Sequence, residues 1–298
     1  MFIRPVAFYS LSGFQGSAFG YVAGDSSNTT KIEKYSFTVD GNGTDVSNLT
    51  VAKKDTAGAQ SLGYGYTAGG ATNDVIDKME FATDNDSTDV GNLAQTKYST
   101  AGHSSGGYGY VSGGFRSATL DVIEKWSFSS DGNATDVGDL TVGRGRCVGN
   151  SSPNYGYTSG GHTNFAVPQG YTNIIDKFSF ATDENSTDVG DLTVYHRWSS
   201  SSSSDIYGYV TGGDTTSAGG VVDNIERFSF TTDGNSTDVA DLTVARAAAA
   251  GTSSTTHGYT AGGISSNVID KFSFSITVNA ADVGDLSAAT QYGAGFHV

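Results

Sequence analysis

Six near-copies of one unit of roughly 50 residues fill the 298-residue chain, and units that short cannot bury an apolar face alone and must stack on one another. Three anchors lay the copies over each other. The first is Gly-Tyr-x-x-Gly-Gly, opening at Gly20, Gly65, Gly109, Gly156, Gly208 and Gly258, with Asp25 in place of the last glycine of copy one. The second is Ile-acid-base-aromatic-x-Phe, beginning at Ile32, Ile76, Ile123, Ile175, Ile225 and Ile269; only Met79 departs from an aromatic at its fourth place. The third is Asp-Val-x-(Asp/Asn)-Leu, starting at Asp45, Asp89, Asp136, Asp188, Asp238 and Asp282. The first anchors are spaced by 45, 44, 47, 52 and 50 residues, so the chain is one array rather than a string of independent domains.

Each unit reads as four short strands. A run of small residues, such as Thr56-Ala57-Gly58, Cys147-Val148-Gly149 or Ser199-Ser200-Ser201, suits an innermost strand, because large side chains would collide where several sheets converge on an axis. Tyr64-Gly65-Tyr66 and its counterparts put aromatics on one face of a second strand and bare backbone on the other. The Ile-x-x-aromatic-x-Phe segment alternates as a third strand. A turn rich in Asp, Gly and Asn, as at 231–236, returns the chain as an outer strand through Asp238-Val239. Four strands in each of six units predict an all-β, six-bladed β-propeller of four-stranded blades, one domain over residues 1–298. Its blades are anchored near 20–50, 65–94, 109–141, 156–193, 208–243 and 258–287.

Closure of the ring is legible as well. Residues 286–295 align without gaps on 242–251, so residues 287–298 offer one more innermost strand to complete the first blade. The stretch Phe8 to Gly13 could claim the same place, and only one of the two can have it.

The double glycine after an aromatic strand, the Ile/Val-x-x-aromatic strand and the Leu-containing outer strand with a base just after it resemble kelch repeats of the galactose-oxidase type. The resemblance covers essentially the whole chain. It departs in lacking the outer-strand tryptophan, in whose place this chain has Asp-Val-x-Asp-Leu. The close likeness of the blades and the Thr-Asp-Val-Gly-Asp-Leu signature also resemble kelch-like proteins of marine bacterial viruses, which implies a virion or appendage as the setting. Copper chemistry of the galactose-oxidase type would need a cysteine crosslinked to a tyrosine; Cys147, the single cysteine, lies in a small-residue run and reads as packing.

With 31 acids against 16 bases the net charge is −15, which repels a phosphate backbone, so nucleic acid is not expected as a partner. No stretch has the length of a membrane span or the build of a signal peptide, so no membrane insertion is expected. The five histidines occupy different repeat positions and make no metal-ligand spacing. No cofactor is expected. Turns such as Asp40-Gly41-Asn42-Gly43-Thr44-Asp45 carry oxygen ligands at alternate positions, which leaves calcium open, but hairpin chemistry accounts for a feature present in every blade.

Two sets of residues are candidates for binding. The base four residues after each outer-strand Leu (Lys53, Lys97, Arg144, His196 and Arg246, with Thr290 in the last copy) would ring one mouth of the channel. There it could hold an anion or a carboxylated sugar, unless each base pairs with an acid of the neighbouring blade. The loops between second and third strands vary most: the blade-four loop carries His162, Phe165 and Tyr171 among amides, and blade three adds Phe115 and Arg116. Aromatics beside amides suit a sugar ring, and variation on a regular scaffold is where specificity usually resides. The resemblance to kelch repeats implies that these loops share one face with the connections between blades.

The expectation is therefore a non-catalytic binding or structural propeller that contacts a glycan or protein partner, or other subunits of a virion or complex. A hydrolase or lyase with a central pocket would require carboxylates that break the sixfold pattern, and Asp121 and Asp223 have a counterpart in Asp74. An intracellular kelch adaptor is a third possibility, without the accompanying domain such adaptors carry. Fold alone does not choose among these.

Overall fold

A computed structural model describes residues 15–71, 73–164, 170–215 and 220–298. It is all-β, and among the described residues there is no helix, hence none long and apolar enough to cross a membrane. Six four-stranded antiparallel sheets radiate as blades, each running from innermost to outermost strand in chain order. Blade 2 shows the pattern: Ala57–Gln60, Tyr64–Ala68, Val75–Glu80 and Thr88–Asn92. Blade 1 is completed by Ala294–His297, which pairs antiparallel with Phe19–Ala23 through Gly20 opposite His297 and Tyr21 opposite Phe296. The C-terminal strand thus closes the ring. The rival stretch Phe8 to Gly13 lies outside the described residues.

A blade is covered on both faces by its neighbours, so its strands do not alternate between core and water. Adjacent residues of the third strand, such as Ile76 and Asp77 or Ile225 and Glu226, are both buried, the aliphatic toward one neighbour and the acid toward the other. The aliphatic and aromatic faces interlock by one repeated contact. The second-strand tyrosine of each blade packs its ring on a phenylalanine of the next, stacked in five cases (Tyr66 on Phe128, Tyr110 on Phe180, Tyr157 on Phe230, Tyr209 on Phe274 and Tyr259 on Phe37) and tilted by 30° in Tyr21 on Phe81. Ring centroids are 4.6 to 5.1 Å apart, the offset stacking that aromatic quadrupoles favour. The glycine before each tyrosine is required because an aromatic ring lies against it, from the third strand of the same blade in five cases and from Phe296 of the closing strand at Gly65, where the third strand has Met79. A side chain at Gly109 would overlap the Trp126 indole, and one at Gly258 the ring of Phe272.

The polar faces interlock through the third-strand acids. Asp176 accepts hydrogen bonds from the backbone N–H (2.9 Å) and hydroxyl (2.7 Å) of Thr141 on the preceding blade, and Asp270 does the same for Thr243. Around the axis the innermost strands meet through Gly58, Gly102, Gly149, Ser201, Gly251 and Gly295. Any side chain at Gly58 would overlap the carbonyl oxygen of Gly295, and any at Gly102 that of Gly58. The small-residue run is thus a steric demand of the axis.

Candidate functional site: one mouth of the central channel

Between the outer strand of one blade and the inner strand of the next, the chain turns through one residue in left-handed conformation. These residues are Asp55, Ser99, Arg146, Trp198, Ala248 and Tyr292, with φ between 55° and 63°. Holding a non-glycine residue there costs about 1–2 kcal/mol. The compensation is a closed collar of backbone hydrogen bonds. Each N–H donates to the carbonyl of the equivalent residue one blade back, from Ser99 to Asp55, Arg146 to Ser99, and so round to Asp55 donating to Tyr292, at 2.7 to 3.0 Å. The backbone is sixfold, and the side chains it presents to the mouth are not.

One residue earlier in each connection, the chain pairs with the variable loop that follows the glycine pair. Tyr98 pairs with Phe115, Arg144–Gly145 with His162–Thr163, and Arg197 with Asp214. Loops and connections share one face, as expected, and in blades 3 to 5 their side chains form a continuous belt. The guanidinium of Arg146 lies 5.2 Å from the centre of the Phe115 ring and 4.4 Å from that of Trp198. Arg197 lies 4.4 Å from Trp198 and 4.7 Å from Tyr171. Tyr292 meets Trp198 edge-on at 5.5 Å, and His162 bridges Phe115 and Tyr171 at 5.8 and 5.7 Å. The corresponding places toward blade 6 hold Ala247, Ala248 and Ile264, and those toward blade 2 hold Lys54, Asp55 and Ala71, so the aromatic belt does not continue round the mouth.

The two arginines of the belt differ. Arg197 forms an ion pair with Asp214 at 2.6 Å, whereas Arg146 makes neither an ion pair nor a side-chain hydrogen bond among the described residues. Burial and the neighbouring Arg197 lower the Arg146 guanidinium below its ordinary pKa, opposed by Asp55, Tyr292 and Tyr98. Burial likewise raises the carboxyl of Asp55, which accepts a hydrogen bond from Ser99 Oγ at 3.1 Å and is steadied by Lys54 and Arg146. The His162 imidazole is lowered by burial and by both arginines. Three polar atoms of the belt, His162 Nδ1, Tyr171 Oη and Trp198 Nε1, are buried without a hydrogen-bond partner among the described residues.

Beyond the collar lies a channel of about 170 Å³ lined by the inner strands, with Asp55, Ser99, Arg146, Trp198 and Tyr292 at its mouth. That volume holds about ten water molecules. Asp55 is the one carboxylate among its described lining residues.

The residues singled out from sequence are placed differently. The bases Lys53, Lys97, Arg144, His196 and Arg246 do not ring the mouth as a positive focus. They are buried between blades, each in an ion pair with the next blade's third-strand acid: Lys53 with Asp77 (3.2 Å), Lys97 with Glu124 (3.2 Å), Arg144 with Asp176 (3.0 Å), His196 with Glu226 (2.6 Å) and Arg246 with Asp270 (2.9 Å). A long side chain in a tight inter-blade wedge reaches a buried acid more readily than solvent, and an unpaired buried charge is not tolerated. Tyr171 is 2 % exposed and faces Arg197 and His162 rather than standing free in its loop. Phe115 and His162 belong to the belt, while Arg116 lies outside it, bonded to Gln95 at 2.9 Å. Phe165 lies outside the described residues. The Asp-rich turns are joints between blades: Asp40, Asp131 and Asp233 pair with Lys271, Lys78 and Lys177, and Asn42, Asn133 and Asn235 accept from backbone N–H groups of the adjoining blade.

Sequence reasoning missed Arg146, Arg197, Tyr292, Tyr98 and Asp55, and left Trp198 without a role. The signal was available. The position just before each small-residue run holds Asp, Ser, Arg, Trp, Ala and Tyr in six otherwise similar repeats.

No known family pattern matches the chain, and no curated protein resembles it in sequence. Among solved structures it is similar to the one described as "Structure of YjhT", at a TM-score of 0.70 and 14% identity, over 83% of this chain and 88% of that one. At that identity the likeness shows the β-propeller fold alone.

Proposed function

We propose that this chain is a non-catalytic binding propeller that engages a glycan or a protein side-chain cluster at the channel mouth, in the sector built by blades 3 to 5. The observation that carries this reading is the contrast between a sixfold backbone collar and the unlike side chains it presents: Arg146, Trp198 and Tyr292, which meet one another, against Asp55, Ser99 and Ala248 at the other three places. Aromatic faces with amphipathic edges and arginine forks are the groups that anchor sugars and protein hot spots. A non-catalytic role is supported by the acids. Asp74, Asp121 and Asp223 hold one repeat position and use their carbonyls to accept from Leu93, Leu140 and Leu242. Among its described lining residues the channel offers Asp55 as the one carboxylate, and Asp214 nearby is held by Arg197, where glycoside hydrolysis needs a pair. The resemblance to kelch-like proteins of marine bacterial viruses adds a virion or appendage as a setting for such a binder.

The test is a glycan-array screen of the wild-type protein and of Trp198→Ala. Selective hits that disappear in the variant support the reading. Hits that survive it unchanged move binding to another surface and defeat it.

A further inference from the structure

Four of the six joints between blades bury a lysine or arginine against a third-strand acid, a fifth sets His196 against Glu226, and most other lysines and arginines of the described residues are also paired. Arg146 stands apart from this economy. Its guanidinium is half-buried at the channel mouth, held between the rings of Phe115 and Trp198, and it donates no hydrogen bond to the described residues. Aromatic faces fix a guanidinium in place while leaving its in-plane N–H donors open. A half-buried cation in that state lacks the charge-assisted partner that would offset its lost hydration.

The surrounding charge agrees. The mouth brings together Lys54, Arg146 and Arg197 against Asp55 and Asp214, an excess of one positive charge in a chain of net −15. Asp55, the nearest acid acting on Arg146, is engaged with Ser99 and makes no ion pair with the guanidinium. Low-dielectric walls concentrate the field of such an island in the cleft.

Building on the binding role proposed above, we propose that Arg146 is an anion subsite: an anionic group of the ligand, a carboxylate or a sulfate, docks on its open N–H fork at the channel mouth while Trp198 and Phe115 hold the guanidinium in place. This names the ligand class as acidic, an anionic saccharide or a small oxyanion, and it separates Arg146 from Arg197, whose charge is already matched by Asp214.

Trp198 reports on the site directly. The only other tryptophan, Trp126, is buried in the core, and Phe178, Phe228 and Phe272 fill its place in blades 4 to 6, so Trp126→Phe should fold and leave one indole. In that background, sodium glucuronate, sodium sulfate and neutral glucose are titrated at constant ionic strength while Trp198 fluorescence is followed. The expected result is a saturable response to the anions, absent with glucose, and weakened at least tenfold by Arg146→Met but not by Arg116→Met. Glucuronate binding more tightly than sulfate assigns the site to an acidic sugar, and equal binding assigns it to the oxyanion itself. An equal response in Arg146→Met, or glucose acting as glucuronate does, overturns the proposal. A neutral array ligand lost in Trp198→Ala but kept in Arg146→Met would overturn the anion subsite and leave the binding face standing.

Discussion

His196 Nε2 lies 2.6 Å from Oε1 of Glu226 across the joint between blades 4 and 5, where the other joints place lysine or arginine against an acid. At three of the joints the side-chain lengths complement one another. The short imidazole meets the longer glutamate, and the long Arg144 and Arg246 meet the shorter Asp176 and Asp270. At the joint that closes the ring the base is replaced by Thr290, and Glu33 accepts from Ser287 N–H while pairing with Lys31 instead.

The Glu226 joint makes stability sensitive to acid. Burial alone would raise this carboxyl, but hydrogen bonds from His196, Ser236 and Thr193 outweigh it and hold the pKa down to about 2, against an ordinary 4.5. A folded-state pKa below the unfolded one contributes stability that is fully present above the ordinary value and is lost as pH falls through about 2. The contribution is about 3 kcal/mol. Thermal melts of wild type and Glu226→Gln from pH 7 to pH 2 should converge at the acid end. Parallel curves would show that this pair does not govern acid stability.

Removing one partner should cost more than the pair contributes. His196→Leu leaves Glu226 charged and buried, 0 % exposed, with Thr193, Ser236 and the Asn224 amide as its remaining donors. A destabilisation of about 3–5 kcal/mol at pH 7 is expected by denaturant unfolding. A change under 1 kcal/mol would mean that water reaches the joint.

The axis discriminates between two neighbouring residues of the same ring. A methyl at Gly251 overlaps the Ser201 carbonyl, so Gly251→Ala should destabilise by about 1–3 kcal/mol. Ser201→Ala forfeits only the hydrogen bond from its Oγ to the Gly149 carbonyl, 2.7 Å, and should cost about 1 kcal/mol. Equal costs would contradict the close approach of inner strands.

Closure by the C-terminus is tested at Phe296, which is 1 % exposed and stacks on Tyr21 at 5.5 Å. Phe296→Ala should cost about 3–5 kcal/mol, and deletion of residues 287–298 should lower the melting temperature far more. An unchanged melt on deletion would give the closing place to the N-terminal stretch.

Much of this molecule was legible in its sequence because its constraints repeat. Steric limits at the axis impose small residues six times, and cross-blade contact imposes a tyrosine and a phenylalanine six times, so pattern alone placed strands and blades, while closure stayed open between two stretches and the pairing of Ala294–His297 with Phe19–Ala23 decides it. The buried acids of the third strand were visible as a motif, and pairing of Lys53 or Arg144 with an acid of the neighbouring blade was one of the two readings open from sequence; the angle between blades, which no spacing encodes, selects it. The mouth was hardest to read for the opposite reason. Arg146, Trp198 and Tyr292 share a register yet no residue type, and a search for shared residues passes over the position where variation carries the chemistry.

The most direct measurement is a crystal structure of the wild-type protein with the tightest ligand from the array. The ligand is expected in contact with Trp198 and Tyr292, with an anionic group on Arg146. A ligand seated instead on the opposite face, beside the exposed Leu62 and Ile206, would contradict the assignment of the binding face.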